Sequence, residues 1–343
     1  MKNSKKTLMH VLGITFLFSA TTLSHAEIVV NNLSKQSSQM NSSWSSEDVD
    51  MLLNGDTSHA ESSPQGSVTV KTSVRNGTSS NIKPIVDTSN FNSSPNVNAR
   101  AALVMDAQTG EVLYSKNSNT ALPIASITKL MTAVVIADAR LNMSETITLQ
   151  QGDFSCAGCK SSSSTLRAGD MMNRAEALLF ALMKSENPAA SALARTYPGG
   201  RSAFIAAMNA KAKQLGMTHA HYLESTGLHP GNVASARDLG ILVAAASQYG
   251  LIRQFSTTPT YDFNLGYRVL KSNNTNALVR NGGWNINISK TGFINEAGRC
   301  VVMHTTLNNR PAVVVILGAP TTQARNDTAV NLMTWTSQLP KRL

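Results

Sequence analysis

After its first 26 residues this chain has no apolar run approaching the ~20 side chains that a membrane-spanning helix requires. It is also short of acid: 20 Asp and Glu stand against 30 Lys and Arg, a formal charge of +10. Aromatic residues make up only 5% of the sequence and are not interleaved with arginine, which argues against a nucleic-acid surface. Three cysteines are too few for a disulfide scaffold. Cys156 and Cys159 lie in a polar loop with no second close pair, so a zinc ribbon is excluded. They do not open a helix after a strand, so a redox motif is not indicated either. In an oxidising compartment they are expected to form a local disulfide, with Cys300 buried and inert in an apolar strand. His219 and His221 with Glu224 could begin a zinc site, but no third ligand motif such as H-E-x-x-H accompanies them. A surface loop is the expectation there; no metal and no cofactor is implied.

What is present divides the chain into three parts. Residues 1–26 read as a secretory leader: Lys2, Lys5 and Lys6, then the apolar core Val11 to Ala20, then Ser24-His25-Ala26 as a cleavage site. Residues 27–98 are rich in Ser, Asn and Thr, carry a net −3, and have too little apolar surface to offset ordering entropy. They read as a flexible tether, with a short local element allowed at Val49–Leu53. Residues 99–343 carry +10 by themselves and are long enough for one large core. A basic exported domain suits an anionic partner such as cell wall. Cleavage of the leader would leave no membrane anchor and a periplasmic protein.

Within 99–343 the hydrophobic period changes twice. Ala101–Met105 and Val112–Tyr114 read as a hairpin around the turn Asp106–Gly110. Helical spacing then dominates: Ser126 to Asp138, Asn173 to Lys184, a restart at Pro188 with Asn187 as N-cap, Arg201 to Leu215, and Ser235 to Gln248 with Ser235 and Asp238 as a capping box. Strand patterns return at Asn285–Phe293, Cys300–Thr306 and Ala312–Leu317, and a helix from Gln323 to Leu339 closes the chain. Strands at both ends and helices between imply a mixed α and β fold: a central antiparallel sheet flanked by helices, with a helical subdomain inserted between its halves.

Three short motifs follow one another: Ser126-Ile-Thr-Lys129, Ser185-Glu-Asn187 and Lys290-Thr-Gly292. Each alone is weak. Ser80 and Lys83 have the same spacing as Ser126 and Lys129 but lie in the tether, before Pro84. Ser-x-Asn between helices is commonly only a cap, and Lys-Thr-Gly in a strand is commonly an edge. Context separates Ser126, which begins an apolar helix. There the i, i+3 spacing puts the lysine within reach of the hydroxyl, and the free N–H groups of a helix start face the nucleophile.

Type, order and placement of the three motifs together match one constellation. The chain resembles the serine D-alanyl-D-alanine peptidases, the low-molecular-mass penicillin-binding proteins, over nearly all of 99–343. The stretches Ala102 to Leu113, Ser225-Thr-Gly-Leu228, Ala236-Arg-Asp-Leu239 and Lys290 to Cys300 are similar to that family, and Tyr197-Pro-Gly-Gly200 through Lys213 to its soluble endopeptidase branch. The resemblance implies that Ser126 attacks a D-alanyl carbonyl in a peptidoglycan peptide and that Lys129 is its base, with a pKa lowered by Lys290. It implies further that Ser185 relays a proton to the leaving amine, Asn187 binds substrate backbone and positions Lys129, and Lys290 and Thr291 hold the substrate's anionic end. The N–H groups of Ser126 and Phe293, the latter following Gly292, would form the oxyanion hole. β-Lactam antibiotics would be covalent inhibitors. Glu186, where Gly or Asp is common, is expected to face solvent.

A β-lactamase shares the motifs, but Glu224 lacks the usual acid-loop pattern around it. A hydrolase built on His304 or His229 lacks a nucleophile elbow, and a non-catalytic wall-binding protein would not need Ser126, Lys129 and Lys290 together. Carboxypeptidase and endopeptidase differ only in the leaving group. The sequence runs 51 residues past Gly292, too few for the extra domain and amphipathic anchor of many carboxypeptidases, which favours an endopeptidase.

Overall fold

The computed structural model describes residues 94–340. The expected leader, nearly all of the tether, the element at 49–53 and the pair Ser80 and Lys83 lie outside the described residues.

Five strands form an antiparallel sheet drawn from both ends of the domain. In spatial order they are Val112–Lys116, Ala101–Asp106, Arg310–Ala319, Gly298–Leu307 and Ile286–Ile294. Alternation of side chains sends Ala101, Leu103, Val313, Val315 and Leu317 into one core and Ala102, Val104, Ala312, Val314 and Ile316 into the other. Both faces are therefore dry, which is why the Ala312 to Leu317 run is apolar without interruption. The Thr322–Gln338 helix covers the second face through Ala329, Leu332 and Met333. The Ala236–Ala246 helix packs on the first. Val97 also packs against the second core, and the Asn98 N–H donates to Thr328 Oγ1 at 3.2 Å.

The inserted block is helical, as the sequence pattern implies. Its axis is the Thr128–Asp138 helix, buried from Thr128 to Ala137, so its apolar residues face protein on every side. The Asn173 side chain caps Arg174–Leu179 in a capping box with Glu176, and this helix runs on into a π-helical turn, Phe180–Lys184. Ser185 then takes a left-handed conformation (φ +64°), which breaks the helix and lets the next, Asn187–Arg195, start in a new direction. Its N-cap is Glu186 rather than the expected Asn187, one residue earlier. Ser235 and Asp238 form the expected reciprocal cap. A Gly250–Thr257 helix, which packs on the Ile286–Ile294 strand, and a hairpin of Thr260–Asn264 with Val269–Asn273 were not expected from the sequence.

Backbones crowd at the start of the central helix. Ala125 has φ +49°, and a Cβ built on Gly227 would fall 1.9 Å from the Ala125 carbonyl oxygen. One built on Gly292 would fall 3.0 Å from both Ile124 O and Ser126 N. Glycine at these two places lets a loop and a strand close on the turn that carries Ser126. Gly227→Ala should therefore do double damage, since φ is +85° there: about 1–3 kcal/mol from the backbone conformation, plus displacement of the Ser126 turn. Thermal melting and penicillin labelling measure the two effects. A variant that melts and labels like the parent would show that the close approach is dispensable.

Candidate active site

Ser126 lies in a 3-10 turn, Ala125–Ile127, that leads directly into the central helix. Ser126 is partly buried, while Lys129, one turn on, has no exposed surface. Lys129 Nζ stands 3.0 Å from Ser126 Oγ, 2.6 Å from Asn187 Oδ1 and 2.7 Å from the Thr226 carbonyl oxygen. A second buried lysine, Lys290, projects from the Ile286–Ile294 strand. Its Nζ donates to Ser185 Oγ at 2.8 Å and to its neighbour's carbonyl, Thr291 O, at 3.0 Å. Thr291 Oγ1 meets Thr275 Oγ1 at 2.7 Å. Gly292 brings the strand against the Ser126 turn, and Phe293 follows, half-exposed, with the Arg299 guanidinium 3.5 Å above its ring. Residues from the first helix, an interhelical turn and a strand thus meet in one cleft.

Burial governs the electrostatics. Loss of water around Lys129 lowers its pKa to about 7, although the carboxylates of Glu224 and Glu186 work in the opposite direction. Burial, not the expected repulsion from Lys290, is what lowers it. Lys290 is itself pushed well below the usual lysine range, first by burial, then by Lys129 and by Arg325. Arg325, near the start of the closing helix, is also buried and hydrogen-bonds through its side chain to Asn326. No spacing in the sequence links it to Lys290. Arg325, joined by each lysine when it is protonated, gives the cleft a positive field fit for an anionic group.

Several supporting groups come from the loop after Leu223. Glu224 accepts hydrogen bonds from the N–H groups of Thr226, Gly227 and His229, at 2.5, 2.6 and 3.3 Å. Asn232 ties the same loop to the helix, donating to Thr128 Oγ1 and to Glu224 O. This folding holds Thr226 O on Lys129. The Ser225-Thr-Gly-Leu228 stretch marked the loop in sequence, but a carbonyl contact leaves no residue-type signal.

The rival readings lose their residues to other work. Glu224 is spent on backbone, His219 Nδ1 lies 3.9 Å from Asp238, and His229 Nδ1 accepts from the Gly231 N–H. His304 is held near neutral imidazole by burial, its pKa lowered to about 4, and its Nδ1 lies 3.4 Å from Asn287. Among the described residues the side chains that gather as metal ligands are Cys156, Cys159 and Glu224, and the two cysteines are joined in a disulfide. Cys300 is buried, with its thiol pushed up to about 11. A cavity of about 550 Å³ lies beside the cleft, between Phe154 to Ala157 and the helical block, and reaches Asn187 and Thr226.

Glu186 corrects an expectation. It does not face solvent; it is buried and accepts from Ser164 Oγ at 2.5 Å and Thr165 Oγ1 at 2.6 Å.

The sequence profile of a family described as D-alanyl-D-alanine carboxypeptidase matches residues 88–321. The D-alanyl-D-alanine endopeptidase of Pseudomonas aeruginosa is 48% identical over 226 residues, 64% of this chain and 71% of that protein. The D-alanyl-D-alanine endopeptidase of Escherichia coli is 43% identical over 252 residues, 71% of this chain and 78% of its own length. Among solved structures, the Streptomyces K15 DD-transpeptidase superposes with a TM-score of 0.65 at 27% identity, covering 71% of this chain and 98% of that one.

Proposed function

We propose that this chain, which belongs to the D-alanyl-D-alanine carboxypeptidase family of serine peptidases, cleaves the D-alanyl amide that cross-links two peptidoglycan peptides. The observation that carries the reading is the buried Lys129 amine, 3.0 Å from Ser126 Oγ with a pKa near neutrality. Neutral Lys129 takes the hydroxyl proton as Ser126 Oγ bonds to the D-alanyl carbonyl carbon. Charge on the carbonyl oxygen is taken up by the N–H groups of Ser126 and Phe293. Ser185 passes its hydroxyl proton to the departing amine as the C–N bond breaks and takes one in turn from protonated Lys290, which donates to it. Water then adds to the acyl carbonyl and gives up a proton, and Ser126 Oγ leaves with the proton held by Lys129. Asn187 keeps Lys129 in place and offers its amide to the peptide backbone.

Lys290, Thr291 and Arg325 receive the carboxylate on the leaving D-centre. That carboxylate offers a counter-charge to Lys290, which burial first, and Lys129 and Arg325 next, hold well below the usual lysine range, so bound substrate favours the protonated lysine. A β-lactam carries the same carboxylate next to a reactive amide, and would acylate Ser126. Peptidoglycan places the enzyme in the periplasm, in keeping with its basic domain and leader-like start. Among the described residues no helix is long and apolar enough to cross a membrane.

Endopeptidase is preferred over carboxypeptidase because relatives at 48% and 43% identity both carry that activity in their names. Purified cross-linked muropeptide dimers should be converted to monomers. Release of terminal D-alanine with the dimers left intact would refute the endopeptidase reading and leave a carboxypeptidase.

A further inference from the structure

Beside the three motifs lies a segment they do not explain, 156–165, which runs along the second motif. The Cys156–Cys159 disulfide closes its base, with Cα atoms 5.3 Å apart. The Lys160 N–H donates to Leu228 O at 3.1 Å, and Lys160 Nζ reaches Glu296, in the turn after the Lys-Thr-Gly strand, at 2.6 Å. The segment therefore touches both the helical side and the sheet side of the cleft. Its tip is fixed by buried Glu186, whose carboxylate takes the Ser164 and Thr165 hydroxyls and, at 3.3 Å, the Thr165 N–H.

One contact connects this arm to the chemistry. Asn187 Nδ2 donates to Ser162 Oγ at 2.8 Å while Asn187 Oδ1 accepts from Lys129 Nζ at 2.6 Å. An amide turned by 180° would place its NH₂ against the lysine and its carbonyl against the serine. A protonated Lys129 has no acceptor to offer, so the lysine when charged selects the orientation in which the Asn187 carbonyl faces it. The Ser162 hydroxyl can donate or accept, so its contact holds the amide in place rather than choosing its orientation. We propose that the disulfide-closed arm 156–165, anchored by Glu186, positions the catalytic lysine by fixing the Asn187 amide through Ser162. Ser162 and Glu186 are then positioning residues. Surface ion pairs such as Lys160–Glu296 add little by themselves, with side chains 49% and 36% exposed; the buried Glu186 anchor gives the arm its place.

The inference rests on Ser126 and Lys129 acting as read above, and acylation by a fluorescent penicillin tests it. Ser162 is exposed, so Ser162→Ala should fold and melt like the parent. Its second-order acylation rate should fall about tenfold, the scale of one lost hydrogen bond in a transition state. Ser162→Thr, which keeps the hydroxyl, should recover most of that loss, a rescue that a bulk effect on loop structure would not give. Glu186→Gln should slow acylation too, and should move the acid limb of the pH profile to lower pH. The sign follows from charge: the Glu186 carboxylate favours protonated Lys129, and removing it makes the neutral amine available at lower pH. Ser162→Ala acylating at the parental rate, on a protein whose wild type is labelled at Ser126, overturns the arm's role alone. A wild type not labelled at Ser126 overturns the catalytic reading beneath it.

Discussion

Ser126→Ala is expected to leave the fold intact and abolish covalent labelling by penicillin, with kcat on a D-alanyl peptide lower by roughly 10⁵–10⁶-fold, the scale of nucleophile removal in a serine hydrolase. The stability half of this follows from the contacts. The Ser126 hydroxyl meets Lys129, and that amine keeps Asn187 Oδ1 and Thr226 O when the hydroxyl is removed. No buried group is orphaned, so thermal melting should barely change. The activity half follows from the absence of a substitute. Ser185, the other motif serine, is bonded to Lys290 and lies in the turn between two other helices, so it does not inherit the Ser126 turn with its N–H groups and its lysine. Ser80→Ala, in the sequence twin of the motif, should label like the wild type. Mass spectrometry of the labelled peptide reads the result directly. A penicilloyl adduct surviving on Ser126→Ala would place the nucleophile elsewhere.

Much of this site is legible in sequence because its chemistry is carried by local spacing. Ser126 and Lys129 are one helical turn apart, and Lys290 to Phe293 lie on one strand, so residue types at short intervals report their neighbours. The sheet is legible for a similar reason. Strands buried on both faces read as unbroken apolar runs, and the reciprocal Ser235 and Asp238 cap announces its helix. What sequence hides is built across long separations. Thr226 contributes a carbonyl, Ser162 a hydroxyl in a polar run, and Arg325 a charge from the closing helix; none sits at a spacing that ties it to the cleft. Glu186 was misjudged because carboxylates are usually solvated, whereas here two hydroxyls and an N–H replace the water. The Gly250–Thr257 helix escaped because eight residues starting at glycine give a weak period, although Leu251, Ile252 and Phe255 are buried. The hairpin after it has Phe263 as a single buried aromatic, stacked on Phe180, so its alternation is faint.

Lys129 separates the base reading from a simpler one in which the lysine only supplies positive charge. Lys129→Arg keeps the charge but cannot yield a neutral base, because a guanidinium does not deprotonate in proteins. If Lys129 takes the proton from Ser126, both Lys129→Arg and Lys129→Ala should slow acylation by at least ~10³-fold, within the range of general-base removal. If charge alone mattered, arginine would rescue. Lys129→Ala also strips a donor from the partly buried Asn187 Oδ1 and the buried Thr226 O, the latter at about 1–3 kcal/mol where water cannot enter, so folding must be checked by melting. The wild type offers a test free of that complication. Its lysine is neutral above about 7, so acylation should reach a plateau there and fall about tenfold per pH unit below it. Burial makes this possible, since an exposed lysine, near 10.4, would put the limb more than three units higher. An acylation rate constant from pH 8 to pH 5 would remove Lys129 from the role of base. The Ser185 and Lys290 pair, 2.8 Å apart and buried on the lysine side, would then be the remaining route for the proton.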